Sequence, residues 1–194
     1  ILPCDIKTQE DLKLLPIITK EMLREAIKRG ELFQNNISHK KLIYNSSSGS
    51  TGEPFQFYES RLSESIKKAS ALRGWYWMGY RLGDKFIKIS QLPRSSILKK
   101  IQDIFSRSLF LHISNLDDQS FKLIFDEMKS YEPTFLRIYP DHLGFLTSYM
   151  RRKNIRMNCI KAINTTGSIL TKQVRESAEE IFDCKIFDGF SCEG

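Results

Sequence analysis

Tyr44-Asn45-Ser46-Ser47-Ser48-Gly49-Ser50-Thr51-Gly52-Glu53-Pro54 is the stretch from which the rest of this chain can be read outward. From Ser46 to Gly52 every residue is small, and five of the seven carry a hydroxyl. Glycines let backbone N–H groups converge on one point, and hydroxyls add rotatable donors, so a loop of this composition can wrap the oxygens of a polyphosphate. No Gly-Lys-Ser/Thr closes it, so it is not a Walker loop. The competing reading is a flexible Ser/Gly linker. The patterned apolar segment that follows at once, Phe55-Gln56-Phe57-Tyr58, speaks against that.

The 194 residues suffice to bury one good core. Lys and Arg number 30 against 23 Asp and Glu, a net charge of +7. An excess of this size suits anionic small molecules such as nucleotides. The basic clusters, Lys40-Lys41, Lys67-Lys68, Lys99-Lys100 and Arg151-Arg152-Lys153, are short and read as solvated helix faces or ends rather than a nucleic-acid surface. Trp75, Tyr76 and Trp77 are consecutive on a helical segment and point to different faces, so they form no stacking platform for single strands and read as core. Cys4, Cys159, Cys184 and Cys192 have no C-x-x-C and no metal-ligand spacing. With no apolar run of transmembrane length and no signal-peptide pattern, a cytoplasmic protein with reduced thiols is expected.

Thr19 reads as an N-cap for a helix over 20–29, with Gly30 as its stop. Beyond the Ser/Gly loop, 59–80 reads as a long amphipathic helix with Leu62, Ile66, Ala69, Leu72, Trp75 and Tyr76 on the apolar face. A strand is expected over 85–90 and an exposed turn over 93–96. Strands over 109–113, 134–138, 159–164 and 185–187 then alternate with helices over 117–130, 141–153 and 171–182. Phe121, Ile124, Phe125 and Met128 face inward from the first of these helices, and Pro140 opens the second. Strands separated by helices of this length predict an α/β fold with a mostly parallel sheet and flanking helices. Ligands bind such sheets beyond the C-terminal strand ends, which here carry Tyr139, Thr165-Thr166-Gly167 and Asp188-Gly189-Phe190.

Ser47-Ser48-Gly49-Ser50-Thr51-Gly52-Glu53-Pro54 resembles the phosphate-loop signature of adenylate-forming enzymes, the acyl-CoA synthetase-like superfamily, written (T/S)SG(S/T)TG-x-P. Leu15-Pro16-Ile17-Ile18-Thr19-Lys20-Glu21 resembles the lead-in of phenylacetate–CoA ligases. The segment from Trp75 to Lys85 is similar to one in their capsular-polysaccharide-biosynthesis relatives. The resemblance spans nearly the whole chain. It implies a partial N-terminal adenylation domain, with lead-in helices over 1–43, the phosphate-loop region over 44–58 and an α/β region over 59–194. The small C-terminal lid domain of the family is expected to lie outside this sequence.

The resemblance implies ATP-dependent activation of a small-molecule carboxylic acid as an acyl-adenylate, with Mg²⁺, and then transfer to coenzyme A or to another acceptor in glycan assembly. Ser47, Ser48, Gly49, Ser50, Thr51 and Gly52 would hold the β- and γ-phosphates. Phe55 stands where many members have Lys, so no cation is supplied there. Asp188-Gly189-Phe190-Ser191-Cys192-Glu193-Gly194 falls on the family's aromatic-Gly-x-(S/T)-E motif, in which the ring stacks on adenine and Glu binds Mg²⁺. Glu193 maps to the magnesium ligand. With Phe190 as the ring, the spacing to Glu193 is one residue short; counted back from Glu193, Gly189 takes the aromatic place and Cys192 the hydroxyl. Both registers remain open. Thr165-Thr166-Gly167-Ser168-Ile169-Leu170 resembles the family's (T/S)-x-G-E-x-L turn beside adenine, with Ser168 in place of Glu, while Thr171 caps the next helix. Tyr139, in Arg137-Ile138-Tyr139-Pro140-Asp141-His142-Leu143, would be a wall of the acyl pocket; His142 is expected as a surface or packing residue. The rival expectation is a non-catalytic nucleotide-binding or interaction module with the same fold.

Overall fold

The computed structural model describes residues 5–31, 42–46, 56–91, 93 and 97–189. The chain divides into two compact units, 1–67 with 194, and 68–193.

In the first unit a short 3-10 turn, Glu10–Leu14, precedes α1 (Lys20–Arg29). Thr19 Oγ1 accepts from Met22 N at 3.3 Å, and Gly30 stops the helix in the left-handed region at φ 74°, as the sequence predicts. β1 (Leu42–Ser46) and β2 (Gln56–Ser60) pair antiparallel, with Ser46 opposite Gln56. Ser46 and Gln56 are thereby held side by side, while Ser47 to Phe55 lie outside the described residues. Glu59 is buried in this hairpin. Asn45 and Ser63 donate to its carboxylate and Lys67 pairs with it at 2.8 Å. The Lys67 ammonium, above all, holds Glu59 below the usual carboxylate range.

Pairing with β1 corrects one expectation. Glu59 and Ser60 belong to a strand, and α2 runs from Arg61 to Trp77 rather than over 59–80. Its expected apolar face is only partly used. Leu62 and Ile66 are exposed and Trp77 is 71% exposed, so it is not core; Arg73 lies over its ring instead. Leu72 and Trp75 do pack, against Tyr80, Phe86, Phe135 and Ala162.

The second unit holds a five-stranded parallel sheet. Its strands are β3 (Phe86–Ser90), β4 (Ser108–His112), β5 (Phe135–Ile138), β6 (Ala162–Thr166) and β7 (Lys185–Gly189), in the spatial order β4-β3-β5-β6-β7. The crossover helices are α3 (Ile97–Phe105), α4 (Asp118–Tyr131), α5 (Pro140–Arg152) and α6 (Lys172–Phe182). The predicted strand over 159–164 begins later, at Ala162, and α3 was not anticipated. Caps set the helix starts: Asp117 accepts from Ser120 N at 2.8 Å, Thr171 from Val174 N at 3.3 Å, and Pro140 occupies the first turn of α5.

Alternation sorts the strand side chains into two faces. Ile87, Ile89, Leu136, Ile138, Ile163 and Ile186 form the main core with Phe121, Ile124 and Met128 of α4, Leu143, Leu146 and Met150 of α5, and Ala178, Ile181 and Phe182 of α6. On the other face Phe86, Phe135 and Ala162 meet Leu72, Trp75, Met78 and Tyr80. This second apolar cluster covers only the N-terminal half of that face. Further along the same strands the face turns polar with Lys88, Arg137 and Asn164.

Candidate functional site

The strand order reverses direction at β3, because β4 follows it on one side and β5 on the other. Helices on opposite faces part there, which opens a crevice at the C-terminal strand ends. A cleft of about 150 Å³ lies at this place, lined by Lys88, Ile89, Ser90, Phe110, Arg137, Ile138, Tyr139 and Thr166. A larger open groove of about 580 Å³ runs along α6 from Arg175 and the start of β7. It lies at the opposite end of the strand and carries none of the expected site residues, so the smaller cleft is the candidate site.

Tyr139 follows the last residue of β5 and forms the N-cap of α5. Its ring lies against Gly167, the first residue after β6. A Cβ at Gly167 would sit 2.5 Å from Tyr139 Cε1 and 2.7 Å from Cδ1. Gly167 also has φ 93°, a conformation L side chains rarely adopt. Two independent constraints therefore call for glycine here. The neighbouring Ser168 hydroxyl lies 3.3 Å from the Asp141 carboxylate and donates to it. A glutamate at 168 would instead face Asp141 as a like charge.

β6 and β7 are tied at the same end. Thr165, fully buried, donates through Oγ1 to Asp188 Oδ1 at 2.7 Å, and Asn164 Nδ2 donates to the Phe187 carbonyl at 3.1 Å. Tyr139, Thr166, Gly167, Asp188 and Gly189 are thus gathered along one sheet edge, at neighbouring strand ends. Ser47, Ser48, Gly49, Ser50, Thr51, Gly52, Phe190, Ser191 and Glu193 lie outside the described residues. Among the described residues no cluster of His, Cys, Asp and Glu could hold a metal ion.

His142 is buried in the first turn of α5 beside Tyr139, with ring centroids 5.7 Å apart. Neither ring nitrogen has a hydrogen-bond partner among the described residues. Burial pushes its pKa down against the opposing pull of the Asp141 charge, so the ring is neutral at pH 7. This agrees with the packing role expected for it.

Arg137 and Lys88 are the charged residues of the cleft, and the sequence assigned neither a role. A signal was present: each strand places one cation within an apolar run, Phe135-Leu136-Arg137-Ile138 and Phe86-Ile87-Lys88-Ile89. Only the register shows that the two stand opposite each other. Lys88 Nζ lies 3.8 Å from the buried Asp103 carboxylate of α3 and over the Trp75 and Phe86 rings.

No helix among the described residues is long and apolar enough to cross a membrane. No protein-family model matches the chain, and no curated protein does. Solved structures do. A 2-hydroxyisobutyryl-CoA ligase, crystallised in an open conformation with 2-HIB-AMP and CoA, superposes with a TM-score of 0.67 at 16% identity, over 97% of this chain and 45% of that one. VinN in complex with L-aspartate gives 0.58 at 16% identity, over 95% and 48%. The O-succinylbenzoate coenzyme A synthetase MenE of Bacillus subtilis, with ATP and magnesium ion, gives 0.52 at 17% identity, over 77% and 29%. The chain spans less than half the length of these structures. Its five-stranded parallel sheet with flanking helices has the fold of part of an adenylate-forming acyl-CoA ligase.

Proposed function

We propose that this chain is a portion of the N-terminal domain of an adenylate-forming acid–CoA ligase, of the phenylacetate–CoA ligase-like kind, working in the cytoplasm and serving capsule or surface polysaccharide assembly. The reaction joins a carboxylate oxygen of the acid to the α-phosphorus of ATP. The bond from that phosphorus to the bridging oxygen breaks, and pyrophosphate leaves with the electron pair. The acyl group then passes to the sulfur of coenzyme A, which loses its proton as AMP departs.

The chemistry asks the protein chiefly to position the reactants and neutralise charge. Ser47, Ser48, Gly49, Ser50, Thr51 and Gly52 hold the phosphates that leave, through backbone N–H groups and hydroxyls. Thr166 and Gly167 flank the nucleotide with Asp188, Gly189, Phe190 and Ser191, and Tyr139 walls the acid. Glu193 would hold a Mg²⁺ ion, whose charge would offset that of the phosphates. Among described residues, the donors that fit an anionic substrate are the hydroxyls of Ser90, Thr166 and Tyr139 and the guanidinium of Arg137.

The observation that carries this proposal is the clustering of Tyr139, Thr166, Gly167, Asp188 and Gly189 at the C-terminal ends of β5, β6 and β7, beside the cleft at the switch point. A non-catalytic nucleotide-binding module is the second reading, favoured by Ser168 in place of the family's Glu. The test is Ser50→Ala with Thr51→Ala in the complete enzyme. Removing one or two preorganised donors costs about 2–4 kcal/mol of transition-state stabilisation, read as slower ATP–pyrophosphate exchange. Unchanged exchange kinetics would remove the loop from the site.

A further inference from the structure

Parallel pairing of β3 with β5 sets Lys88 directly opposite Arg137 on the same face of the sheet. Like charges facing each other across neighbouring strands destabilise a sheet unless something of opposite sign answers them. For Lys88 the answer is in the fold: the buried Asp103 carboxylate and the faces of Trp75 and Phe86. Arg137 is half-buried, and among the described residues its side chain has no carboxylate, no hydrogen-bond acceptor and no aromatic face. It lines the cleft together with the Ser90 and Thr166 side chains, while Phe110 supplies an apolar surface.

We propose that the half-buried guanidinium of Arg137, opposite Lys88 in the switch-point cleft, binds a second carboxylate of the acid substrate, which makes that substrate a short dicarboxylate. This rests on the function proposed above. The position favours the acid over the nucleotide, because the residues assigned to the nucleotide lie over β6 and β7, whereas the two cations lie on β3 and β5. Thr166 belongs to both regions and marks where they adjoin. A planar guanidinium matches a carboxylate with two parallel N–H···O bonds, which a monocarboxylic substrate cannot use once its only carboxylate is at the reacting phosphorus. The cleft, at about 150 Å³, is also small beside pockets for drug-sized ligands, so the acid is short.

The test is ATP–pyrophosphate exchange by the complete enzyme with succinate, glutarate and adipate against butyrate, valerate and hexanoate, in the wild type and in Arg137→Met and Arg137→Lys. One dicarboxylate should be preferred over its matched monocarboxylate. Arg137→Met should lower kcat/KM for that dicarboxylate roughly 10- to 100-fold, the worth of a hydrogen-bonded charge. It should leave the KM for ATP unchanged and should lower kcat/KM for the dicarboxylate more than for its matched monocarboxylate, and Arg137→Lys should restore part of the loss. Exchange that favours monocarboxylates, or an unaltered preference in Arg137→Met, would overturn the proposal while leaving the ligase reading intact. A raised KM for coenzyme A in thioester formation, with exchange untouched, would assign the cation to a phosphate of coenzyme A and overturn it as well. Absence of exchange with every acid would instead refute the ligase reading itself.

Discussion

Gly167→Ala is the sharpest perturbation of the candidate site. The substitution meets two separate obstacles. The backbone at φ 93° must carry a side chain, which costs about 1–2 kcal/mol. The new Cβ must also displace the Tyr139 ring from 2.5 Å, and turning an aromatic side chain off its rotamer costs about 0.5–1.5 kcal/mol more. The expected loss is about 1.5–3.5 kcal/mol, large against the total stability of an ordinary domain. Urea denaturation of wild type, Gly167→Ala, Tyr139→Ala and the double variant separates the two terms. With the ring gone, only the backbone cost should remain, so the double variant should be less destabilised than the sum of the singles by about 1 kcal/mol. Additive effects would show that Tyr139 does not lie over Gly167. A loss below about 0.5 kcal/mol would mean that the turn tolerates a side chain and that neither obstacle exists. On the function proposed above, Gly167→Ala in the full-length protein should also raise the KM for the acid, because the ring it moves lines the cleft.

His142→Phe should leave stability at pH 7 unchanged or raise it by up to about 1 kcal/mol, since it removes two buried nitrogens that lack partners. Because burial depresses the folded-state pKa of His142, the unfolded chain takes up the proton first; stability is full above the ordinary pKa of 6.5 and falls as pH drops toward the folded value. The urea midpoint should therefore fall between pH 7 and pH 5 in the wild type and less so in His142→Phe; identical slopes would refute the assignment. Thr165→Val should cost about 1–2 kcal/mol by breaking the hydrogen bond to Asp188, measured by urea denaturation, and a neutral effect would show that the strand-end tie carries no weight.

Legibility in the sequence followed the range of the forces involved. β5, β6 and β7 with α4, α5 and α6 could be read because their apolar residues keep a regular period and their caps are local: Asp117, Pro140 and Thr171 each act within one helical turn. The β2 boundary could not be read, because Glu59 and Ser60 are extended only through pairing with β1, and a charged residue next to a helical period looks like helix. α3 differs: Ile97, Ile101, Ile104 and Phe105 do recur at helical spacing, so it was legible in the sequence and was missed, and its apolar residues are largely exposed in the fold. At the site, Tyr139, Thr166, Gly167, Asp188 and Gly189 were legible as strand ends once the alternation of strands and helices was recognised. The facing of Lys88 and Arg137 was not, since it exists only in the register between β3 and β5.

Carboxylate-dependent ATP–pyrophosphate exchange by the complete enzyme tests the central claim most directly, with Glu193→Gln as the paired variant. The exchange should occur, and Glu193→Gln should raise the Mg²⁺ requirement and cut the rate while leaving thermal stability nearly unchanged. Exchange absent in the wild type with any acid, or a Glu193→Gln enzyme with wild-type rate and Mg²⁺ dependence, would contradict a catalytic role for this chain.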